Sequence, residues 1–372
     1  MPVALMDIAA QYGPLRSEID GAIAGVLDSG RFILGPNVAA LEAEMSERAD
    51  GRPCVGVANG TDALAIALQA VGVGPGDEVV TSPYTFYATA EAVARLGATP
   101  VFADVDPVDL CIDPDDAARR ITDRTKAILP VHIFGHPADA SRLRDLADAH
   151  ALPLIEDAAQ AMGAADRGTP VGALGDLATV SFFPTKNLPG IGDGGMVICR
   201  DEETAEHVRR LRFHGSKDKV TFEEVGYNSR LDELQAAVIR VFLPYLDAWN
   251  DGRRAAAAAY AAADVPRGVE RPAERTGARH VYHLYVIRHP DRDALRAALN
   301  ERGVSAAVYY GIPLHLQPVF AGLGYHEGDL PVAEESARTG LAIPMHPHLS
   351  AQGVDEVVEA LRAACAALPA RV

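Results

Sequence analysis

The stretch CVGVANGTDAL, residues 54–64, decides the architecture of this chain. Its first five residues are apolar or small and include two valines, which is typical of a buried strand. Gly60 then permits a tight turn, because a residue without Cβ accepts a wide range of backbone conformations. From Thr61 onward the apolar residues have the spacing of a helix. A strand that runs directly into a helix is the building unit of a parallel sheet covered by helices.

The same alternation continues to about residue 200. Further apolar runs occur at residues 78–83, 99–105, 127–135, 152–157, 178–184 and 194–200. Helices are predicted after Thr85, Asp113 and Asp139. We therefore predict an α/β fold in which a large domain contains a mostly parallel sheet flanked by helices. In such sheets, ligands bind where the strands turn into helices at one edge.

The C-terminal part has a different pattern and predicts a second, smaller α/β domain. Residues 229–250 predict a long amphipathic helix that is kinked or broken at Pro244, and the alanine-rich residues 255–263 predict another helix. The remaining elements are apolar runs at 281–288 and 304–310 and helices at 291–301 and 354–367. We place the boundary near residue 247, so that residues 1–247 form the large domain with an N-terminal arm and residues 248–372 form the small domain.

Composition narrows the range of functions. The 372 residues are 48% hydrophobic and 23% charged, a globular balance, and the formal net charge of −17 argues against a nucleic-acid-binding protein. No apolar run approaches the roughly 18 residues of a membrane helix, and the N-terminus lacks the features of a secretory signal. The four cysteines are far apart without metal-site spacing, so no metal is expected. Together these features predict a cytoplasmic protein.

A lysine in an unusual setting is the first candidate for chemistry. Lys186 lies in SFFPTKN, residues 181–187, with the apolar run LATV before it and GIGDGGMV after it. An amine must be unprotonated to condense with an aldehyde, and partial burial favours that form by lowering the pKa. The alternative is a surface lysine on a loop, which is the commoner environment of a lysine.

A carboxylate follows the predicted strand in LIEDAAQ, residues 154–160. Asp157 ends the apolar run and should lie at the carboxyl edge of the sheet. A pyridoxal cofactor needs such a group beside its ring nitrogen, which must stay protonated, although Asp157 could instead cap a following helix. Gln160 could reach the 3′-oxygen of that cofactor or face solvent.

Two further segments could bind the phosphate and the ring of such a cofactor. Gly60 lets the backbone approach an anion, and the N–H groups of a helix that opens at Thr61 favour phosphate. Thr61 could equally be an ordinary N-cap. Phe86, in PYTFYAT, could stack on a flat ring or belong to the core. GVGPGD, residues 72–77, is interpreted as a turn, because Asp77 replaces the third glycine of a dinucleotide-binding loop.

The order of these motifs resembles the DegT/DnrJ/EryC1/StrS family of sugar aminotransferases over nearly the whole chain. The matching segments are NGTDAL, GDEVVTSPYTFYAT, LPVHIFGHPAD, IEDAAQAMGA, SFFPTKN followed by GDGG, GYNSRLDELQAA and IPLHLQPVF. The resemblance implies an aspartate-aminotransferase-like fold of type I and the cofactor pyridoxal 5′-phosphate. It also implies glutamate as the amino donor and a homodimer whose active sites lie between the subunits.

The resemblance gives each candidate residue a role. Lys186 would hold the cofactor as a Schiff base and later move protons as the catalytic base, and Asp157 would pair with the ring nitrogen. Phe86 would stack on the ring, and Gln160 would contact its 3′-hydroxyl side. The residues that would bind the phosphate are Gly60, Thr61, Ser181 and, from the partner subunit, Asn228, which in the sequence itself looks like a turn residue before a helix at Leu231.

The implied substrate is a nucleotide-linked keto sugar, with His315, Tyr310 and Phe183 as candidate sugar-binding residues. GDGG after the lysine resembles enzymes of 3-keto sugars, so a dTDP- or UDP-linked 3-keto sugar is favoured over a 4-keto sugar. Phe183 replaces a tyrosine common in related 3-aminotransferases, and Pro189 replaces a frequent glycine, so the sugar itself stays open. His315 could instead be a packed histidine. A sugar dehydratase and a non-catalytic, cofactor-binding regulatory protein are the weaker alternatives.

Overall fold

The computed structural model describes residues 3–368. Helices in this part of the chain are α1 Ile8–Tyr12, α2 Arg16–Ser29, α3 Pro36–Arg48, α4 Gly60–Ala70, α5 Ala88–Arg95, α6 Pro114–Arg120, α7 Ala140–Ala149, α8 Glu202–Arg212, α9 Glu233–Phe242, α10 Leu246–Ala262, α11 Arg292–Glu301, α12 Pro331–Thr339 and α13 Ala351–Ala367. The strands are β1 Cys54–Val57, β2 Glu78–Thr81, β3 Thr99–Phe102, β4 Thr125–Leu129, β5 Ile155–Asp157, β6 Ala165–Asp166, β7 Thr169–Pro170, β8 Leu177–Ser181, β9 Gly195–Cys199, β10 Ala278–Arg279, β11 Tyr285–Arg288 and β12 Gly340–Ile343.

The main sheet runs in the order β1-β9-β8-β5-β4-β2-β3. Two hydrogen-bonded ladders, β1-β9-β8-β5 and β3-β2-β4, form its halves. Parallel bridges between Ile128 and Leu154 and between Val131 and Asp157 join the two halves. Strand β9 is antiparallel to β1 and β8, and the other neighbours pair in parallel. The predicted α/β fold with a mostly parallel sheet is therefore confirmed.

The strands form where the chain has short apolar runs that can be buried on both faces. Every residue of β1, β2 and β9 is buried. Helix α4 packs on β8 and β9, and its residues 63–68 are all buried. This packing fixes the N-terminus of α4 beside the carboxyl end of β8, and the candidate site is built there.

Helix α4 begins one residue earlier than predicted, at Gly60. Its N-cap is Asn59, whose Oδ1 accepts a hydrogen bond from the N–H of Asp62 at 2.8 Å. This side-chain cap satisfies one of the N–H groups that a helix start leaves without a partner. The alternative that Thr61 is the N-cap is therefore wrong, and Thr61 lies within the first turn.

The region predicted as one helix, residues 229–250, is divided. Helix α9 begins at Glu233, and a 3₁₀ turn at Leu243–Tyr245 separates it from α10. Pro244 lies in that turn, where its missing N–H removes no helical hydrogen bond. The predicted break is present, but the predicted start at residue 229 is wrong because residues 229–232 are not helical.

The C-terminal part packs around its own apolar core. Strands β11 and β12 pair antiparallel, and α10, α11 and α13 cover them. Residues 304–310 contribute two isolated bridges, Val304 to Val3 and Ala307 to Ala342, rather than a strand. The boundary placed near residue 247 falls in the first turn of α10 and stays a prediction. None of the helices between residues 3 and 368 is long and apolar enough to cross a lipid bilayer.

Candidate active site

A cavity of about 680 Å³ opens where β5 and β8 end and α4 and α5 begin. The predicted site residues that line it are Gly60, Thr61, Phe86, Asp157, Gln160, Ser181, Phe183, Lys186 and Tyr310. Other residues on its walls include Asn59, Thr85, Thr89, Asp193, His283 and Tyr309. The cavity therefore lies at the strand-to-helix turns, which is where ligands bind in sheets of this kind.

Lys186 enters the cavity from the loop after β8. The neighbouring Asn187 anchors this loop, because its amide donates to Asn250 Oδ1 at 2.7 Å and to the Val281 carbonyl at 3.2 Å. Asn250 in turn donates to the Met162 carbonyl at 3.0 Å. Burial lowers the pKa of the Lys186 amine to about 8. The amine can therefore lose its proton close to neutral pH, which a nucleophilic lysine requires.

Asp157 supplies a buried carboxylate to the same cavity. Its Oδ2 accepts a hydrogen bond from Thr89 Oγ1 at 2.8 Å, and its Oδ1 accepts one from the Ala159 N–H at 3.2 Å. Burial raises the pKa of Asp157, whereas these two hydrogen bonds and the charge of Lys186 lower it. No helix follows β5 within residues 158–176, so the alternative of a helix cap is wrong. The carboxylate is held ready to pair with a cation such as a protonated ring nitrogen.

An anion cradle lies at the start of α4. The N–H groups of Gly60 and Thr61 have no hydrogen-bond partner among residues 3–368. A Cβ on Gly60 would lie 2.8 Å from Ser181 Cβ, and one on Gly195 would lie 2.4 Å from the Asn59 carbonyl carbon. Both glycines are therefore required for the close approach of these backbones. Two N–H groups, a helix N-terminus and the Ser181 hydroxyl can together accommodate a phosphate.

Gln160 is buried, so the alternative that it faces solvent is wrong. Its Oε1 accepts from the Phe134 N–H at 2.9 Å, and its Nε2 donates to the Tyr310 hydroxyl at 3.0 Å. The rings of Phe134 and Tyr310 stack with centroids 5.8 Å apart. Both residues have positive φ, 55° and 57°, a conformation that costs free energy and persists only where the surroundings enforce it. Tyr310 is thus held firmly on the cavity wall.

Two aromatic rings project into the open part of the cavity. Phe86 is 59% exposed and Phe183 is 50% exposed, so the core alternative for Phe86 is wrong. The N–H of Thr89 donates to the Phe86 carbonyl at 3.3 Å and holds its backbone in place. An exposed aromatic face offers a surface on which a flat ring can stack.

Asn228 does not join these residues within one chain. It lines an adjoining cavity of about 370 Å³, which shares Asn59 and Asp193 with the first. Its Oδ1 accepts a hydrogen bond from the Arg230 guanidinium. The role of Asn228 at the site of a partner subunit stays a prediction.

His315 is also not brought to the cavity. It is 1% exposed, its Nε2 lies 3.1 Å from Glu334 Oε1, and its ring packs beside Phe102 and Tyr325. Burial lowers its pKa. These contacts are those of the packed histidine that was the alternative in the sequence, and a sugar contact from His315 stays a prediction.

Three cavity residues were missed by sequence reasoning. Thr85 and Thr89 form a hydrogen-bonded pair next to Asp157, and only their four-residue spacing in PYTFYAT could have linked them. His283 is 4% exposed, and its Nδ1 has no partner among the described residues. Burial, above all, and nearby cations such as Lys186 hold the pKa of His283 well below its usual range. In VYHLYVIR nothing distinguishes it from a core residue.

A separate buried cluster resembles a metal site, but its potential ligand atoms already take part in hydrogen bonds. Asp109, Cys111 and His136 offer ligand atoms within 4.8 Å of one another. The His136 Nδ1 lies 2.8 Å from the Pro137 carbonyl, and its Nε2 accepts from the Arg275 N–H at 3.0 Å. Asp109 already bonds to Cys111 and Arg275. A metal would have to displace these hydrogen bonds, so we assign the cluster a structural role.

Comparison with known proteins identifies a family that this chain matches. A model of the DegT/DnrJ/EryC1/StrS aminotransferase family matches residues 14–362. The structure of S. venezuelae DesV in complex with a ketimine intermediate superposes with a TM-score of 0.96, at 45% identity, over 99% of this chain and 100% of that one.

Three curated relatives match almost end to end. A pleiotropic regulatory protein of Geobacillus stearothermophilus is 50% identical, over 96% of this chain and 97% of that protein. A dTDP-3-amino-3,4,6-trideoxy-alpha-D-glucose transaminase of Streptomyces venezuelae is 46% identical, over 97% and 95%. A UDP-N-acetyl-3-dehydro-alpha-D-glucosamine 3-aminotransferase of Acidithiobacillus ferrooxidans is 45% identical, over 97% of each.

Proposed function

Because the chain belongs to the DegT/DnrJ/EryC1/StrS aminotransferase family, we propose that it transfers an amino group from an amino acid to a nucleotide-linked 3-keto sugar. The protein is an aminotransferase, and its cofactor is pyridoxal 5′-phosphate. One observation carries the proposal: Lys186 and Asp157 share a single cavity, which also contains the anion cradle at Gly60.

The described residues fit this cofactor. The cradle formed by Gly60, Thr61 and Ser181 suits its phosphate, and the close contact between Gly60 and Ser181 leaves no room for a side chain at residue 60. Asp157 offers a buried carboxylate to the ring nitrogen, and Phe86 offers an exposed face to the ring. When bound, pyridoxal phosphate supplies an electron sink for the carbon that loses a proton.

Lys186 has two tasks in this mechanism. Between turnovers its Nζ would hold the cofactor, and during turnover its free amine would move the proton of the donor's α-carbon. A pKa near 8 suits both tasks, because the amine can accept and release a proton near neutral pH. Asp157 would keep the ring nitrogen of the bound cofactor protonated. The hydrogen bond from Asn187 to Asn250 fixes the backbone next to Lys186, so the lysine side chain would reach the cofactor from a fixed position.

A 3-keto sugar is the substrate class that we propose. The relatives from S. venezuelae and A. ferrooxidans are named for sugars with nitrogen or oxygen at C3, one dTDP-linked and the other UDP-linked. GDGG after the lysine agrees with that class. Phe183 offers an exposed ring without a hydroxyl at the cavity mouth, so it can contact an apolar part of the sugar. We propose glutamate as the amino donor, and 4-keto sugars are the alternative.

We further propose a homodimer in which each active site uses residues from both subunits. The segment before Asn228 carries three apolar residues that are largely exposed in one chain, Val220 at 80%, Phe222 at 59% and Val225 at 88%. Clustered exposed apolar residues are typical of a protein interface. Asn228 lines a cavity next to the chain's own site, so a second copy that covers this segment would bring Asn228 near a cofactor phosphate.

A cytoplasmic location is part of the proposal. All four cysteines are free thiols, and three of them are buried. Free thiols are usual in a reducing compartment, which supports the cytoplasm as the location.

Amination assays with matched sugar nucleotides test the substrate proposal. The holoenzyme would be incubated with glutamate and with dTDP- or UDP-linked 3-keto and 4-keto sugars, and the amino sugar products would be measured. We expect turnover of at least one 3-keto substrate and little or none of its 4-keto isomer. Turnover of 4-keto substrates alone would contradict the assignment of C3.

A regulatory role is the second candidate, since the G. stearothermophilus relative is named as a pleiotropic regulator. A protein that only binds the cofactor would keep its yellow colour when glutamate is added. The aminotransferase should lose that colour and release one equivalent of 2-oxoglutarate for each active site. Retained colour without 2-oxoglutarate would support the regulatory role over catalysis.

A further inference from the structure

Two buried threonines stand behind the carboxylate of the active site. Thr85 is 2% exposed, Thr89 is 1% exposed, and Asp157 is 4% exposed. The hydroxyl oxygens of the two threonines lie 3.1 Å apart, and Thr89 Oγ1 lies 2.8 Å from Asp157 Oδ2. A carboxylate can only accept, so the Thr89 hydroxyl donates to it and must accept from Thr85. The pair is therefore a directed chain of two hydrogen bonds that ends on Asp157.

We propose that Thr89, oriented by Thr85, is a positioning residue that fixes the Asp157 carboxylate in its ionised form beside the cofactor ring. The Thr89 hydroxyl favours the charged carboxylate inside a buried site, where an ionised group without donors is costly. The N–H of Thr89 donates to the Phe86 carbonyl at 3.3 Å. One residue thus connects the group that meets the ring nitrogen with the ring-stacking aromatic.

This inference rests on the proposed function, because Asp157 is assigned there to the ring nitrogen. The titratable groups that act on Asp157 are Lys186, His132 and Tyr310. Lys186 and His132 favour the ionised carboxylate as Thr89 does, whereas burial opposes it. Removal of the Thr89 donor should therefore let Asp157 take up a proton at a higher pH, and the acid side of the activity profile should move upward.

The test compares Thr89→Val, which keeps the shape and removes the hydroxyl, with Thr89→Ser, which keeps the hydroxyl. The holoenzymes would be titrated with acid while the cofactor absorbance and the single-turnover rate with glutamate are followed. We expect Thr89→Val to move the acid limb upward by about one pH unit and to slow turnover at neutral pH by roughly tenfold, as the loss of a buried hydrogen bond to a charge predicts. Thr89→Ser should restore both, and Thr85→Val should move the limb in the same direction by less.

Thr81→Val is the matched control, because Thr81 is also fully buried and its hydroxyl donates to the Leu129 carbonyl at 2.7 Å, away from Asp157. Its acid limb should coincide with that of the wild type. An unchanged limb in Thr89→Val, or a Thr89→Ser variant as impaired as the valine, would overturn the inference. Should Thr89→Val fail to fold, the Thr85→Val variant tests the inference in its place, and an unchanged acid limb in that variant would overturn it.

Asp157→Asn separates this inference from the proposed function. If Asp157→Asn abolishes amino transfer while Thr89→Val behaves as wild type, only the role of Thr89 fails. If Asp157→Asn is fully active, the assignment of Asp157 to the ring nitrogen fails as well.

Discussion

The cofactor side and the sugar side of the cavity are built in different ways. On the cofactor side Asp157 and Gln160 are buried, and hydrogen bonds within one chain fix their positions. On the sugar side Phe183 is half exposed, and its ring projects into the open part of the cavity. Contacts within one chain therefore fix the groups that we assign to the chemistry, whereas recognition of the sugar is left to exposed side chains.

Removal of the Asp157 carboxylate should have the largest effect. If Asp157 pairs with the ring nitrogen as proposed, Asp157→Ala removes the counter-charge of that nitrogen in a buried site, and we expect turnover to fall by about 1,000-fold, as for the loss of a key electrostatic group. Steady-state kinetics with glutamate and the preferred sugar would measure it. Asp145, an exposed aspartate on α7, offers the matched control, since Asp145→Ala should be neutral. A loss of tenfold or less in Asp157→Ala would contradict the assignment of the chemistry to the buried groups on the cofactor side.

Asn228→Ala should have an intermediate effect that depends on the partner subunit. Loss of a hydrogen bond to a phosphate costs about 2 kcal/mol, which corresponds to roughly 30-fold weaker retention of the cofactor. Equilibrium dialysis of the holoenzyme would measure it.

Mixed dimers make this prediction specific to a shared site. When Asn228→Ala and Lys186→Ala subunits are combined, a hybrid with shared sites has one site in which both residues are intact, so cofactor retention and activity should recover. Two active sites that are each complete within one chain would give no recovery on mixing.

The pH dependence of cofactor capture tests the lowered pKa of Lys186. With a pKa of about 8, the neutral fraction of the amine rises about tenfold per pH unit below pH 8 and then levels off. Capture of pyridoxal phosphate by the cofactor-free protein, followed by its absorbance, should have the same profile. A rate that keeps rising beyond pH 10 would show a lysine with an ordinary pKa.

The same shift predicts how the stability of the cofactor-free protein depends on pH. Burial penalises the charged amine in the folded state only, so the penalty is present below pH 8 and disappears as the pH rises from about 8 towards the ordinary value of 10.5. Urea unfolding should therefore show stability rising over this window relative to the Lys186→Met variant. Parallel pH curves for the two proteins would contradict this.

How much of the site could be predicted depends on the distance between contacting residues in the chain. The strand ends at Asp157 and before Lys186 were visible as apolar runs, because a buried parallel strand has a distinctive composition. The bond from Thr89 to Asp157 joins residues 68 apart in the chain, and that from Asn187 to Asn250 joins residues 63 apart. Such contacts arise from the packing of separate elements, and no local pattern in the sequence encodes them.

Contacts between distant residues also explain why the start of α9 and the environment of His315 were not predicted. Helix α9 starts at Glu233, whose carboxylate accepts hydrogen bonds from the N–H groups of Gly35 and Val38 at 2.8 Å and so caps α3. His315 meets Glu334 across a turn of the C-terminal part. Glu233 and His315 each bond to a residue of another element, which the local sequence pattern does not reveal. The pattern therefore placed the helix start before Glu233 wrongly and left two alternatives open for His315.

Phe183→Tyr should have the smallest effect on activity, and that effect should be limited to binding of the sugar. The added hydroxyl at the cavity mouth can make or disturb one neutral hydrogen bond, worth about 1 kcal/mol, so KM for the sugar should change by about fivefold at most. Capture of the cofactor and the half-reaction with glutamate should not change. A large loss in the glutamate half-reaction would contradict the separation between the two sides.

The covalent attachment of the cofactor is the most direct test of the account. The chain has four lysines, and Lys126, Lys217 and Lys219 are exposed outside the cavity. Borohydride reduction of the holoenzyme followed by peptide mass spectrometry would locate the fixed cofactor. We expect the modification on Lys186 alone and no modification in Lys186→Ala. A modification on another lysine, or none in the wild type, would contradict it.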